Sequence, residues 1–223
     1  TYFLVLVGLV LCLGASALVN STMRKYSKVR NMRGLTGAEA ARNILNREGL
    51  YNVQIECLNS DDGDHYDPRT DTVRLSYNNF NGTSVTAVSV AAHECGHAVQ
   101  HARAYAPLTM RSKLVPVVSF ASNIMTWVLL GGILMLNTFP QLLLAGIILF
   151  AMTTLFSFIT LPVEINASKR ALVWLSSSGI TNARNHTQAE DALRSAAYTY
   201  VVAALGSLAT LVYYIMIFMG RRE

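Results

Sequence analysis

Two histidines four residues apart, His93 and His97, have the spacing in this chain that most clearly suggests chemistry. Side chains four residues apart on an α-helix lie on one face, so both imidazoles can point at one metal ion. Glu94 lies one position further round the helix, where its carboxylate can take a proton from a water at that ion without being a ligand. The pattern predicts a zinc site with Glu94 as a general base of the kind that metalloproteases use.

The residues around this motif predict the helix that must hold it. Ser84 follows a turn-forming Asn-Gly-Thr sequence, and no proline interrupts the chain from there to Pro107. Cys95 lies two residues after His93 and points to the opposite side of such a helix, so we interpret it as a packing residue. The three cysteines are scattered, which is untypical of a disulfide framework and indicates a reducing compartment.

The third ligand is less clear from the residues alone. His101 lies roughly 12 Å further along the same helix, so it reaches the ion only if the helix breaks after His97. His186 lies in a polar stretch, residues 176–188, that predicts a solvated loop. Glu164 follows an apolar stretch, where a carboxylate near lipid is costly unless it has a partner such as a metal. Glu164 also suits an ordinary helix N-terminus, and its own position alone favours that interpretation.

The chain is unusually apolar for a soluble protein. Hydrophobic residues make up 52% of its 223 residues and charged residues 14%, whereas charged residues are about 25% of a typical soluble domain. The excess lies in stretches long enough to cross a bilayer, at residues 2–19, 115–136, 141–161 and 196–219. We therefore expect a mainly α-helical integral membrane protein with about four transmembrane helices, surrounded by a lipid bilayer.

These stretches divide the chain into membrane and polar segments. Residues 1–20 and 196–223 carry the first and last spans, and residues 115–161 form a transmembrane hairpin that turns at Pro140. Residues 21–114 carry the HExxH helix and residues 162–195 carry Glu164. Most of the 18 Lys and Arg lie in these two polar segments, so the positive-inside rule predicts that both face the cytoplasm. Only the Arg221-Arg222 pair, after the last span, argues against this orientation.

The basic character of the chain indicates lipid rather than nucleic acid as a partner. The sequence pI is about 9.2, and a cluster of cations directly follows the first span, where it suits anionic lipid headgroups. No aromatic platform for bases accompanies the cluster, so we expect no nucleic-acid partner. The spans carry no charged residues away from their ends, which argues against an ion transporter. The cations are Arg24, Lys25, Lys28, Arg30 and Arg33.

Two stretches before the motif alternate apolar and polar residues as half-buried strands do. These are residues 53–58 and 72–77, and the oxygen-rich stretch between them, 61–68, predicts a turn rather than a calcium loop. We expect a small β-hairpin, or pair of strands, beside the HExxH helix. An exposed edge of these strands would suit a substrate backbone. His65, in the predicted turn, is a candidate cleft residue.

Two motifs together resemble a known class of enzyme. The HExxH at 93–97 and the ExxASxxA that begins at Glu164, with a transmembrane hairpin between them, resemble the membrane gluzincin peptidases, which include HtpX and the CAAX prenyl proteases. The stretches DHYDPR at 64–69, HECGHAVQH at 93–101 and LPVEINAS at 161–168 are more similar to bacterial YugP-type neutral zinc metallopeptidases. This resemblance covers nearly the whole chain.

The resemblance implies a site and a reaction. Zn²⁺ would be held by His93, His97 and Glu164, with Glu94 as general base and proton shuttle. HtpX-like enzymes carry Asp where this chain has Ser168, and that Asp is expected to hold a ligand histidine through a hydrogen bond. The donor that stabilises the oxyanion stays open among four residues able to supply one: His65, Arg170, Tyr198 and Tyr200.

The implied function is a membrane zinc endopeptidase that hydrolyses peptide bonds of membrane or membrane-adjacent proteins. Its location would be a bacterial cell membrane with the active site facing the cytoplasm, and a membrane protein partner or an oligomer is possible. The alternative is a non-proteolytic scaffold or regulator that keeps the fold and binds a metal. The intact Glu94 favours the enzyme, because a scaffold has no need of a base.

Overall fold

The computed structural model describes residues 2–59 and 63–220, so the predicted Arg221-Arg222 pair and residues 61–62 of the predicted turn lie outside it. The strands of the described chain are β1 (Gln54–Leu58), β2 (His65–Asp67) and β3 (Thr72–Ser76). Its helices are α1 (Tyr2–Tyr26), α2 (Gly37–Arg47), α3 (Tyr77–Asn81), α4 (Val85–Ala102), α5 (Ala106–Leu134), α6 (Pro140–Ser177) and α7 (Ala183–Met219).

Four of these helices are long and apolar enough to cross a membrane, which confirms the predicted fold class. Their candidate spans are Leu6–Tyr26, Ala106–Leu134, Pro140–Ser177 and Ala183–Met219. Each helix is longer than the apolar stretch that predicted it. In particular, α6 continues through Pro162, so the third apolar stretch and Glu164 belong to one helix. The loop predicted around His186 is wrong, because α7 already begins at Ala183.

The predicted transmembrane hairpin is α5 and α6, and glycines let the two helices pack closely. A Cβ added at Gly132 would lie 2.5 Å from Leu143 Cα, and one at Gly146 would lie 2.7 Å from Leu129 Cδ2. Leu129, Leu143 and Ile147 form the buried apolar contact of this hairpin. The outer faces of the spanning helices present large apolar side chains, such as Trp127, as a lipid environment requires.

The sheet has the strand order β1-β3-β2. The two predicted strands, β1 and β3, do pair, but they are parallel. The antiparallel partner of β3 is β2, which lies inside the predicted turn, so that part of the turn prediction is wrong. The polar residues of the predicted turn form hydrogen bonds within the protein. The Asp67 carboxylate, for example, accepts hydrogen bonds from the backbone N–H of Arg69, at 2.9 Å, and from Arg74 Nη1, at 2.8 Å.

The helix α4 lies in the middle of the polar half of the molecule. Ser84 caps it by accepting a hydrogen bond from the Ala87 N–H at 3.1 Å. Small residues such as Ala91, Ala92 and Ala98 allow α2, α6 and strand β3 to pack closely around it. Cys95 is fully buried in this core, and burial raises the pKa of its thiol, which supports its interpretation as a packing residue. The candidate chemistry therefore lies on a rigid, buried element.

Candidate metal centre

Three side chains from two helices converge at one point between α4 and α6. His93 Nε2 lies 3.2 Å and His97 Nε2 lies 3.6 Å from Glu164 Oε2. The ligand atoms that these residues offer all lie within 4.8 Å of one another. Two imidazole nitrogens and one carboxylate oxygen are a donor set that suits Zn²⁺ and leaves a coordination position open. The residues therefore fit a zinc ion.

A glycine allows the two helices to bring these side chains so close. Gly96 lies between the two histidines on α4, and a Cβ added there would lie 2.9 Å from Ala167 Cα on α6. Real Cβ atoms essentially never come this close to a backbone atom, so any larger residue would push α6 away. Gly96 and Ala167 together set the distance from His93 and His97 to Glu164.

Gln100 fixes the orientation of His97 and also its tautomer. The Gln100 side chain is fully buried, and its Nε2 donates to the Val163 carbonyl at 2.8 Å and to Asn166 Oδ1 at 3.0 Å. Because a carbonyl can only accept, this end of the amide must be the NH₂ group. Gln100 Oε1 then accepts from His97 Nδ1 at 3.0 Å, which leaves the lone pair of His97 Nε2 pointing at Glu164.

Ser168 supports His93 in a similar but weaker way. Its Oγ lies 3.1 Å from His93 Nδ1. A hydroxyl can donate or accept, so this contact does not fix the tautomer of the ring as Gln100 does for His97. The position is the one that the resemblance implied, with a neutral hydroxyl where a carboxylate would hold the imidazole more strongly.

Glu94 lies beside the three converging residues and is not one of them. It is 7% exposed and lines a cavity of about 280 Å³ together with His93, His97 and Glu164. Residues from β2 and its neighbours, from α5 and from α7 complete the wall: Asp64, His65, Tyr66, Pro68, Leu108, Arg111, Ser112, Val115 and Tyr200. The cavity gives a substrate access to both the converging residues and the candidate base.

A cation also reaches this cavity. Arg111 Nη1 on α5 donates to Glu164 Oε1 at 3.3 Å, which orients the second carboxylate oxygen, Oε2, towards the histidines. Among the ion pairs of the described chain, this is the only one that joins α5 to the converging residues.

The acidic neighbours change the titration of His97. Burial alone would lower its pKa, but the hydrogen bond to Glu164 and the negative charges of Glu94 and Glu164 outweigh burial. The pKa of His97 is therefore raised above its usual value of 6.5. A metal ion must displace a proton from this ring over a wider pH range than from a free histidine.

The other candidate residues divide into those near the cavity and those away from it. His65 and Tyr200 line the cavity. Because α4 continues to Ala102, His101 stays outside the cluster, as predicted, and contacts the Tyr66 hydroxyl at 2.7 Å. His186 lies on α7 beside Thr181. Two candidate oxyanion donors face elsewhere: Arg170 donates to Asn166 Oδ1, and Tyr198 lines a separate groove.

Sequence reasoning missed three residues of this centre: Gln100, Asn166 and Arg111. Gln100 carried a weak signal, because a glutamine one turn after His97 on a buried face needs a partner. Asn166 lies two residues after Glu164, inside the second motif. Arg111 gave no signal, since only the packing of α5 against α4 and α6 brings it to Glu164.

The fold and the site together define a class: a helical membrane protein with two histidines and a glutamate arranged to hold a metal ion. A family model described as "Putative neutral zinc metallopeptidase" matches residues 1–219, and the chain belongs to that family. It is 44% identical over 221 residues to the "Putative membrane protease YugP" of Bacillus subtilis (strain 168), covering 99% of this chain and 97% of that protein. No solved structure matches the chain. The family implies zinc as the metal and confirms the resemblance read from the sequence.

Proposed function

We propose that this chain is a zinc-dependent endopeptidase that cleaves membrane or membrane-adjacent proteins. The observation that carries the proposal is the convergence of His93, His97 and Glu164, separated by about 70 residues of chain, in a cavity that also contains Glu94. A purely structural histidine cluster would not need an acidic side chain beside it in an accessible cavity.

His93, His97 and Glu164 would hold the ion through Nε2, Nε2 and a carboxylate oxygen. When bound, zinc supplies a Lewis acid that polarises a carbonyl and acidifies a water molecule. Gln100 keeps His97 in the tautomer that ligation needs, and Ser168 supports His93 from the same distance range. The role of Arg111 is to hold Glu164 in a fixed orientation.

Glu94 would act as the general base and then as the acid. Its carboxylate takes the proton from the attacking water, and the same proton passes to the amine that leaves when the peptide bond breaks. Tyr200 and His65 line the cavity and carry donors able to stabilise the oxyanion. Tyr200 is the better candidate, because it lines this cavity and also a second pocket that His93, Glu94 and Glu164 line.

The substrate backbone would lie along β2. This strand is one edge of the sheet, and His65 and Tyr66 from it line the cavity. An extended peptide added to the edge would form backbone hydrogen bonds that do not depend on its side chains. The requirement for an extended segment favours unfolded or loop regions of target proteins.

The site would face the cytoplasm of a bacterial cell, as the distribution of Lys and Arg indicates. Cys57 on β1 is exposed and allows a direct test, since Cys95 is buried and Cys12 lies within the first candidate span. A membrane-impermeant maleimide should label Cys57 in inverted membrane vesicles and leave it unlabelled in intact cells. Labelling of Cys57 in intact cells would mean that the site faces the outside of the cell.

The activity is tested by purifying the wild-type protein and Glu94→Gln in detergent, and measuring zinc content and hydrolysis of casein. We expect one zinc per chain in both proteins, with hydrolysis by the wild type alone. Hydrolysis by Glu94→Gln would remove Glu94 from its role. Zinc in both proteins, with no hydrolysis of casein or of membrane-protein substrates by either, would favour the metal-binding scaffold.

A further inference from the structure

Three neighbouring cavities lie at and beside the candidate metal centre. The first is the cavity described above, which we call the metal cavity. The second, the inner pocket, has a volume of about 160 Å³ and shares His93, Glu94, Glu164 and Tyr200 with the metal cavity. The third, the outer groove, has a volume of about 310 Å³ and shares Ser168, Leu193 and Ala197 with the inner pocket. Because each cavity shares wall residues with the next, a substrate in the metal cavity lies close to the inner pocket and, beyond it, to the outer groove.

The inner pocket is apolar on the side away from the metal centre. Its apolar wall consists of Met23, Val90, Leu193, Ala196 and Ala197. An apolar cavity of ~150 Å³ is large enough to bind benzene, so the inner pocket can hold a side chain such as leucine or phenylalanine. Ala196 and Ala197 leave this space open because their side chains are small.

The outer groove lies between α6 and α7 and has an apolar floor with charged residues at its rim. The floor is formed mainly by Ile165, Leu172, Leu193 and Val201. The rim carries Lys169, Arg194 and Glu190, so cations are in excess there. Arg194 lies over the Tyr198 ring at 5.7 Å from its centroid, which holds the guanidinium at the groove. Among the described residues, neither Lys169 nor Arg194 takes part in an ion pair.

We propose that the inner pocket and the outer groove read the substrate on one side of the scissile bond: the pocket takes an apolar side chain and the groove an acidic one. This inference rests on the proposed peptidase function and names its substrate class. It goes beyond the metal centre, because no ligand of the ion belongs to the outer groove.

Helix geometry gives the spacing of the two preferences. Lys169 is five residues after Glu164 on α6, a rise of roughly 7.5 Å. An extended peptide covers about 3.3 Å per residue, so the acidic residue lies two or three positions from the scissile bond. Arg194 is six residues before Tyr200 on α7 and gives a similar span of ~9 Å. The preferred sequence has an apolar residue next to the bond and Asp or Glu one or two positions beyond.

The charge preference is tested with matched ten-residue peptides that carry a central leucine and Asp, Asn or Lys two positions to either side. Binding is measured by fluorescence anisotropy on zinc-loaded Glu94→Gln in neutral-lipid nanodiscs, and cleavage on the wild type. We expect the Asp peptide to bind and be cleaved at least fivefold better than the Lys peptide, with Asn between them. Because binding is measured on the inactive variant, loss of the peptidase function and loss of the charge preference give different results.

The residues are tested by the double variant Lys169→Glu/Arg194→Glu, with Arg184→Glu as an exposed basic control near the start of α7. The double variant should reverse the order of the Asp and Lys peptides and leave the Asn peptide within twofold. The control should keep the wild-type order. An unchanged order in the double variant would overturn the proposal.

The size preference is tested by Ala197→Leu, which fills the junction between the inner pocket and the outer groove. It should slow cleavage of leucine peptides at least tenfold relative to matched glycine peptides, whereas Ala203→Leu on the exposed face of α7 should not. If Ala197→Leu and Ala203→Leu cleave leucine and glycine peptides at the same relative rates, the inner pocket does not select an apolar side chain. If Lys169 and Arg194 respond to phosphatidylglycerol in the nanodisc and the protein shows no preference among the peptides, the groove binds lipid headgroups instead.

Discussion

The two ends of α6 make close contacts of opposite character. Near its start the helix packs on α5, with Gly132 against the backbone of Leu143 and an entirely apolar buried cluster around them. Beyond Pro162 it packs on α4, with Gly96 against the backbone of Ala167 and a polar network around them. The same close-packing device therefore serves helix association at one end and positions Glu164 at the other.

The two ends differ in how much displacement their contacts tolerate. The apolar end can shift slightly without consequence for a hydrogen bond, because its contacts have no direction. The polar end cannot, because ligand geometry and the bonds of Gln100 depend on distances of about 3 Å. We expect substitutions of similar size at the two ends to affect stability alike and metal binding very differently.

The largest difference is expected for a ligand. Glu164→Ala should reduce zinc binding by more than a hundredfold and abolish hydrolysis, because one of three donor atoms is removed. A control in the middle of α6 is Thr154→Ala, which removes a hydrogen bond of 2.6 Å to Ser207 on α7 and should leave zinc affinity unchanged. Zinc affinity is measured by competition with a chelating dye. Retained affinity in Glu164→Ala would make Glu164 a non-ligand.

The two glycines test the comparison directly. Gly96→Val should separate α4 from α6 and weaken zinc binding at least tenfold, because Ala167 is displaced together with Glu164. Gly132→Val should cost about 1–3 kcal/mol of stability, the usual range for overpacking, and leave zinc affinity within twofold. Thermal denaturation and zinc competition on each variant separate the two effects. Equal loss of zinc affinity would mean that the ends are coupled.

A smaller difference is expected between the two supports of the histidines. Gln100→Leu should weaken zinc binding roughly 10- to 100-fold, as loss of a partner that orients a ligand usually does. Ser168→Ala should have a smaller effect, since the neutral hydroxyl leaves the His93 tautomer free. Ser168→Asp should strengthen binding, because a carboxylate is a better acceptor. If Ser168→Ala weakened zinc binding more than Gln100→Leu does, His93 would be the more constrained ligand.

The smallest effect is a shift with pH. Zinc requires neutral imidazoles, and the raised pKa of His97 means that its proton competes with zinc from above pH 6.5 downwards. Apparent zinc affinity should therefore weaken as the pH falls, beginning above this value. Glu94→Gln removes one of the charges that raise the pKa, so the midpoint of the loss should move to lower pH. A titration between pH 5.5 and 8 measures both midpoints.

Local patterns in the sequence predicted much of this molecule. Spacing alone put His93 and His97 on one helical face, and long apolar stretches alone predicted four spanning helices, because both depend on neighbours along the chain. The strand β2 was missed since its residues, such as Asp67, are typical of turns when their partners Arg69 and Arg74 are not known. Residues 183–188 were taken for a loop for the same reason: polar composition outweighed the helix that packing supports.

Local sequence patterns were enough to predict two imidazoles on one helical face, a neighbouring carboxylate and helices able to span a membrane. Glu164 was proposed through resemblance, since its own position alone favoured a helix N-terminus. Only the tertiary structure brought it within 3.2 Å of His93, through the contact between Gly96 and Ala167. Gln100, Asn166 and Arg111 likewise acquire their roles from helices distant in the chain. Distances between such helices depend on packing over the whole core, and no local pattern encodes them.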